Sequence, residues 1–429
     1  MGKNARVSTS AVPGPGVTTL QGTALYVGAV LGTGVIALPA LAAEAAGPAS
    51  LVAWLVLCVA SAPMAATFAS LGARYPDAGG VSTYARLAFG DRVAAVVGWC
   101  FFFAVPFGAP AAAMFGGAYV TAAIGGGQLT TAITAVALML AVTAANAFGV
   151  QLTGRLQLVL AGLLALFLVG AVAIAAPHAD PANLQPFAPH GLGGIVSAMA
   201  LLTWSFVGWE AITHLAGEFR DPRRDLPRAT ALAVIVIGVL YLALALAVVL
   251  VLGPSAAHSA APLGELLAVG IGGSARGFAA VAAILLTLGT MNAYYAATAK
   301  LGAALGRDGA LPGWLSKGSS AGEVPRRSLA VVSVGSVLAA LAAFRLGIGP
   351  QPLVLLTTGE FVAVYAVGIA AAVKLLPRGS RSRRVAVVAL VAVAGLAVAT
   401  GVYLAWALVV TAAALAYLRW RRRRAAAVH

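Results

Sequence analysis

The chain is divided into about a dozen apolar runs of roughly 18 to 25 residues, joined by short polar loops. Coiled as helices, runs of that length match the hydrocarbon core of a bilayer, about 30 Å thick. In lipid every backbone N–H and C=O must find its partner inside the protein, and a helix meets that demand within each run. Charged residues make up 9% of the chain and the mean hydropathy is +0.97, where soluble domains carry about 25% charged residues. The expected fold is all-α and integral to the membrane, with little mass outside it.

Counting the runs predicts twelve transmembrane helices, at 17–41, 51–71, 93–124, 130–148, 156–176, 194–216, 229–252, 276–305, 328–344, 352–376, 385–400 and 402–417. When alternate loops are assigned to one side, only Arg276 and Arg345 of the 27 Lys and Arg fall on the other. That asymmetry predicts a multi-pass protein of the inner (plasma) membrane with both termini cytoplasmic. It also accounts for the net charge of +15 without nucleic acid. The basic run at 421–424 is expected to anchor the last helix at anionic headgroups of the lipid bilayer. Cys58 and Cys100 lie inside apolar runs, and His178, His190, His214, His258 and His429 are scattered. Neither set has metal-ligand spacing, and no clustered catalytic set appears, so no enzyme activity, metal or cofactor is expected. The polar, Pro- and Gly-rich segment 1–16 does not read as a cleavable signal.

The stretch Leu31-Gly32-Thr33-Gly34-Val35 sits in the middle of the first run. Glycine costs roughly 1 kcal/mol against alanine inside a helix, and a loosened backbone at membrane depth is tolerated only where it lines a cavity or is buried in protein. A second interruption, Phe206-Val207-Gly208-Trp209-Glu210, falls in the sixth run, about 175 residues later. Paired interruptions in corresponding positions of two halves point to a transporter's substrate site. They predict two five-helix repeats of inverted topology. The expected organisation is a cytoplasmic tail (1–16), a first repeat (17–176), a second repeat (193–376), two appended helices (385–418) and a basic cytoplasmic tail (419–429). A short amphipathic helix is expected at 82–89, on the inner leaflet.

Three separated motifs then carry a resemblance. Val27 through Val35, with its Gly32-Thr33-Gly34 core, resembles the first-helix motif of the amino acid-polyamine-organocation (APC) permeases. Tyr75-Pro76-Asp77-Ala78-Gly79-Gly80-Val81, followed by Tyr84 and Ala88-Phe89-Gly90, resembles their loop between helices 2 and 3. Phe206 through Ala211, then Glu218-Phe219-Arg220-Asp221-Pro222 onward to Ala229, resembles their sixth helix and the loop after it. Gly32-Thr33-Gly34-Val35 with Pro39-Ala40-Leu41, and His214 through Phe219, are most similar to bacterial exporters of methionine and branched-chain amino acids. The resemblance implies the five-plus-five inverted-repeat bundle and secondary transport of amino acids, here as an exporter or antiporter. A proton-coupled importer or exchanger of broader specificity is the alternative it leaves open. It implies a small-molecule amino acid partner, protons as a coupling ion, and a monomer or homodimer. One branch of the superfamily uses a lysine in the fifth helix; this chain has Leu164 near that place.

A free amino acid brings a carboxylate and an ammonium, and both are expensive to remove from water unless partnered. The N-terminal end of a half-helix offers unpaired N–H groups and a positive dipole end, and the C-terminal end offers carbonyls. The carboxylate is therefore expected at the N–H groups of Gly32, Thr33 and Gly34. The ammonium is expected at carbonyls near Val30, Leu31, Phe206 and Val207, beside Gly208. The side-chain pocket is expected to be apolar, with Trp204, Phe206 and Trp209 of the sixth run and Phe107, Gly108 and Met114 of the third as candidates. Trp204 and Trp209 are five residues apart and do not share a helix face, so at least one is expected to pack only. Glu210 and Glu360 are the carboxylates deepest in apolar runs, Glu360 roughly 12 Å into its helix. Together with Trp209 they are the gating or proton candidates, since ionisable groups inside a membrane default to function. Thr287, Thr290, Asn292 and Tyr294 are polar groups in the eighth run, available for an ion or for bonds between helices. Asp77, Arg86, Asp221, Arg223, Arg224 and Asp225 are loop charges that would suit an inner gate.

Overall fold

The computed structural model describes residues 16–76, 79–149, 154–319 and 323–426. Residues 1–15, Asp77 and His429, and the side chains of Arg155 and His214, lie outside the described residues. The helices are α1 (Thr19–Val30), α2 (Gly34–Ala46), α3 (Ser50–Arg74), α4 (Val81–Phe89), α5 (Asp91–Ile124), α6 (Gly127–Ala147), α7 (Gly154–Ala175) and α8 (Gly191–Leu202). They continue with α9 (Pro222–Ala247), α10 (Pro262–Ile271), α11 (Ala275–Arg307), α12 (Arg326–Arg345), α13 (Pro350–Leu375), α14 (Arg381–Thr400) and α15 (Leu404–Ala426).

Nine stretches among the described residues are long and apolar enough to cross a membrane. Two of them, Gly34–Arg74 with 41 residues and Arg381–Arg424 with 44, are each a pair of helices. A straight helix of either length would reach about 60 Å, twice the hydrocarbon thickness. Each pair instead folds at a tight 3₁₀ turn, Gly47–Ala49 and Gly401–Tyr403, opened by a glycine at φ 58° and 56°.

Three elements differ from their sequence reading. The stretch 218–228, read as a loop, is largely the first turns of α9. Asp221 caps it by accepting from the N–H groups of Arg223 (3.1 Å) and Arg224 (3.3 Å), with Pro222 at the first helical position. The segment carrying His258 and Glu265 contains α10, a ten-residue helix started by Pro262. At the other end, α15 runs on through Arg421–Arg424 to Ala426, so most of the segment read as a basic tail is helical.

The helices α5 and α13 form the enclosed centre of the bundle. They pack on each other, and α5 also meets α4, α6, α11, α12 and α15. Around them α1 lies on α7 and α9, α2 on α8, and α3 on α9 and α14. The chain ahead of α1 is strapped to the start of α9. Val17 N–H donates to the Glu218 carbonyl (2.8 Å), Arg220 N–H to the Val17 carbonyl (3.2 Å), and the Thr19 hydroxyl to Asp225 (2.8 Å).

Candidate functional site

The first helix stops because its backbone turns away at Leu31 (φ −72°, ψ 39°), whose N–H still reaches the Val27 carbonyl at 2.9 Å. Gly32 and Thr33 are not helical, and α2 restarts at Gly34. The first N–H groups of α2 have no carbonyl one turn back inside the helix, so its positive dipole end faces the gap. Gly34 is dictated by contact. A Cβ there would lie 2.7 Å from the Ser205 hydroxyl and 3.0 Å from the Trp204 indole.

The second interruption is more drastic than a single break. After Leu202 the chain tightens into a 3₁₀ turn (Thr203–Phe206), extends at Val207 (φ −74°, ψ 138°), and reverses at Gly208 (φ +123°). It continues as 3₁₀ turns over Ala211–Glu218, so the span expected at 194–216 is α-helical only in its first half. Gly208 occupies a backbone region that L-residues rarely enter, and its missing Cβ would stand 3.0 Å from the Ala29 carbonyl. The two interruptions therefore touch. The Tyr241 hydroxyl on α9 joins them, lying 2.9 Å from the Val30 carbonyl and 2.8 Å from the Ser205 carbonyl.

Between the interruptions and the central helices lies a cavity of about 570 Å³, open mouth included. One wall is Val30, Gly32, Thr33 and Gly34; a second is Trp204 and Val207. Gly108, Ala109 and Ala112 of α5 form a third, and Thr290, Met291 and Tyr294 of α11 a fourth. Thr357 and Phe361 of α13, one turn apart, close it. No charged side chain is among its lining residues. Thr33 and Ser205, at the two gaps, each bury a hydroxyl oxygen with no partner among the described residues, a condition rare enough in native proteins to need a reason.

The structure brings Val30, Gly32, Thr33, Gly34, Trp204 and Val207 together around this space. Leu31 is fully buried and points elsewhere. Phe206 packs behind the wall against Trp54 and Tyr241, with ring centroids at 6.1 and 5.2 Å. Phe107 is turned away onto Trp406 (5.1 Å), and Met114 does not reach the lining. Trp209 is buried against Tyr26 at 5.6 Å. Of the carbonyls expected to meet an ammonium, Val30 already accepts from Tyr241, and Phe206 is 3.4 Å from the Tyr365 hydroxyl. A carbonyl has two lone pairs, so each retains one.

Glu210 is buried and turned back on its own gap. Its Oε2 accepts from the Gly208 N–H (3.0 Å) and, through a short hydrogen bond, from the Tyr365 hydroxyl of α13. Glu360 is also fully buried and is not among the residues that line the cavity. In α11, Asn292 bonds to Asn146 of α6 (2.8 Å) and Thr287 is buried, leaving Thr290 and Tyr294 at the cavity. Among the loop charges, Arg86 pairs with Asp91 at 3.2 Å on the surface, while Asp221 caps α9 and Asp225 holds Thr19.

Sequence reasoning missed Tyr241 and Tyr365, although a signal existed. A tyrosine inside an apolar span must find a partner for its hydroxyl, and the free backbone groups at a break are natural partners. It also missed Phe361 and Thr357, whose i, i+4 spacing puts both on one face.

A helical membrane protein with two interrupted spans meeting over an apolar cavity is of the transporter class. The chain belongs to the amino acid permease family, within the APC superfamily: the family match covers residues 17–426. It is 32% identical over 405 residues to the uncharacterized amino acid permease YecA of Bacillus subtilis (strain 168), covering 94% of this chain and 95% of the relative. It is 32% identical over 373 residues to the L-methionine/branched-chain amino acid exporter YjeH of Escherichia coli (strain K12), covering 86% and 87%. Similarity to the branched-chain amino acid permease BcaP of Bacillus subtilis is lower, 25% over 236 residues and about half of each chain.

Proposed function

We propose that the chain is a secondary active transporter that exports neutral, apolar amino acids of the methionine and branched-chain kind. The observation that carries this reading is the meeting of two helix interruptions at one uncharged cavity. In this reading the N–H groups at Gly32, Thr33 and Gly34 take the carboxylate, reinforced by the Thr33 and Ser205 hydroxyls. The remaining lone pairs of the carbonyls near Val30, Leu31, Phe206 and Val207 take the ammonium. The substrate side chain lies against Gly108, Met291 and Phe361. Glu210, bound to Tyr365 and to the Gly208 N–H, keeps the second gap closed and acts as a gate element with Trp209 packed behind it.

The same reading assigns twelve spans. They are α1 with α2, α3, α5, α6 and α7 in a first repeat (17–176), and α8 with its 3₁₀ continuation, α9, α11, α12 and α13 in an inverted second repeat (193–376). Helices α14 and α15 are appended. Both termini face the cytoplasm, which puts Arg276 and Arg345 at the external ends of α11 and α12. The likeness to the methionine/branched-chain exporter supports outward transport.

The test is counterflow in proteoliposomes with labelled methionine, leucine, arginine and glutamate. Methionine and leucine should exchange, and arginine and glutamate should not. Counterflow of arginine without leucine overturns the proposal, and accumulation only against the exporter's expected direction overturns the export reading.

A further inference from the structure

The substrate cavity does not use Glu360, and the surroundings of that residue are unlike those of Glu210. Glu360 is fully buried, about ten residues into α13, or about 15 Å along the helix. Among the described residues, neither of its carboxyl oxygens has a hydrogen-bond partner at good geometry. The polar side chain facing it is the Cys100 thiol of α5, itself beside Thr411 of α15. Among the described residues, no Lys or Arg pairs with it. The ion pairs among the described residues are Arg86–Asp91 and Arg307–Asp308, both on the surface. Within the spans packed on α13, α5 carries Cys100 and Tyr119, with Asp91 and Arg92 in its first turn, α3 carries Cys58, with Arg74 at its end, and α8 and the membrane portion of α14 carry none. The remaining titratable groups of these elements are Tyr84 and Arg86 of α4, Tyr365 and Lys374 of α13 itself, and Tyr417 and the arginines from Arg419 onward in α15.

An ionised carboxylate in such a place would lack a counter-charge and have only the weak Cys100 thiol as a donor, at a cost of several kcal/mol. The packing is made for the neutral acid. It is also wired to the cavity. Phe361, the next residue on α13, lines the cavity and meets Phe101, the next residue on α5, edge to face at 5.6 Å. The Cys100–Glu360 pair thus lies directly beside the Phe101–Phe361 pair, on the same two helices. The turn that joins α14 to α15 presses on the other side, where a Cβ on Gly359 would stand 2.6 Å from the Tyr403 carbonyl. Any shift of α13 against α5 and α15 that alters the cavity floor must also change the access of Glu360 to water.

We propose that Glu360 is a proton-binding site of this protein, separate from the substrate cavity and coupled to it through Phe361 and α13. It carries one proton while enclosed and releases it to water when α13 separates from α5 and α15. The carboxylic acid loses its O–H proton and becomes a carboxylate, with no other bond changed. This rests on the reading of the chain as a transporter.

The experiment uses the full chain in proteoliposomes and compares gradient-driven leucine accumulation with leucine counterflow, which needs no net proton movement. A pH difference of one unit supports roughly tenfold accumulation per coupled proton. In Glu360→Gln the ratio of accumulation to counterflow should fall by about that factor. An unchanged ratio overturns the proposal. If the wild-type chain shows no leucine or methionine counterflow, the transporter reading fails instead. A second measurement needs no variant. A lipophilic carbodiimide reacts with a protonated carboxyl in an apolar site, so peptide mass spectrometry should find the adduct on Glu360. Labelling should decline as pH is raised and change when leucine saturates the cavity. No adduct, or labelling indifferent to pH, overturns the proposal.

Discussion

Replacing Gly34 tests the central geometry, because the contact that forbids a side chain there is the contact between the two interruptions. A Cβ at this position would lie 2.7 Å from the Ser205 hydroxyl oxygen, 3.0 Å from Trp204 and 3.1 Å from Leu38, where ordinary contacts are 3.4–4 Å. The gap between the segments must then open by about 0.7 Å, and overpacking of this kind costs about 1–3 kcal/mol. If that strain is expressed in the substrate-bound state, transport falls roughly 5- to 150-fold for Gly34→Ala. Gly34→Val adds two further methyl groups against the same wall and should abolish it. Gly32 supplies the control within the same motif. Its Cβ would be 3.4 Å from the Thr290 methyl, an ordinary contact, so Gly32→Ala should stay within about threefold of wild type, less than 1 kcal/mol. The assay is leucine counterflow normalised to inserted protein, with insertion measured separately. Equal losses at the two glycines, or normal flux in Gly34→Val, would refute the reasoning.

Tyr241→Phe removes the hydroxyl shared by the Val30 and Ser205 carbonyls, and should destabilise the detergent-solubilised protein by about 1–3 kcal/mol, read as a lower melting temperature. Tyr365→Phe takes a donor from Glu210 and an acceptor from the Gly208 N–H; a similar loss of about 1.5–3 kcal/mol is expected, with faster substrate leak through the loosened gate. Trp204→Ala opens a wall of the cavity and should change the order of preference among apolar amino acids. Phe107→Ala, whose ring faces Trp406, should lower stability and leave that order alone; the reverse pattern would move the side-chain pocket.

The all-helical, membrane-spanning character was legible because each run had to bury its own backbone bonds at membrane length. The first interruption was legible because Gly32, Thr33 and Gly34 stand in an otherwise unbroken apolar stretch. What periodicity did not disclose was rotation. A span that is apolar all round does not tell which residues face lipid, a neighbour or a cavity. Phe107 and Phe361 are equally plausible as text, and only the packing of α5 against α13 and α15 separates them. Trp204 and Trp209 were separable in part, since five residues carry the chain past one face. Gly208 at φ +123° lets Trp204 line the cavity and buries Trp209 against Tyr26. The start of α9 was hidden by its charges: Asp221, Pro222 and the following arginines read as a loop, while the same residues are a cap and a first turn.

In the proposed reading, selectivity follows from what the cavity walls leave out: the backbone ends and the Thr33 and Ser205 hydroxyls would answer the two charges common to every amino acid and leave nothing for a third. An arginine or glutamate would bring an ionised side chain against Phe361, Met291 and Ala109, at a cost of several kcal/mol; even 3 kcal/mol is a discrimination of about 150-fold. A carboxylate placed at the cavity wall should reverse the sign of that term for a cation. Thr357 is the suitable position, because it lines the cavity and its hydroxyl serves only backbone carbonyls, that of Leu353 at 2.9 Å and that of Ala104 on α5 at 3.4 Å. Thr357→Asp should admit arginine to counterflow while leucine exchange declines, and Thr357→Asn, with the same shape and no charge, should not. Continued exclusion of arginine by the aspartate variant, in protein that still binds leucine, would mean that the missing counter-charge is not what sets the choice of substrate.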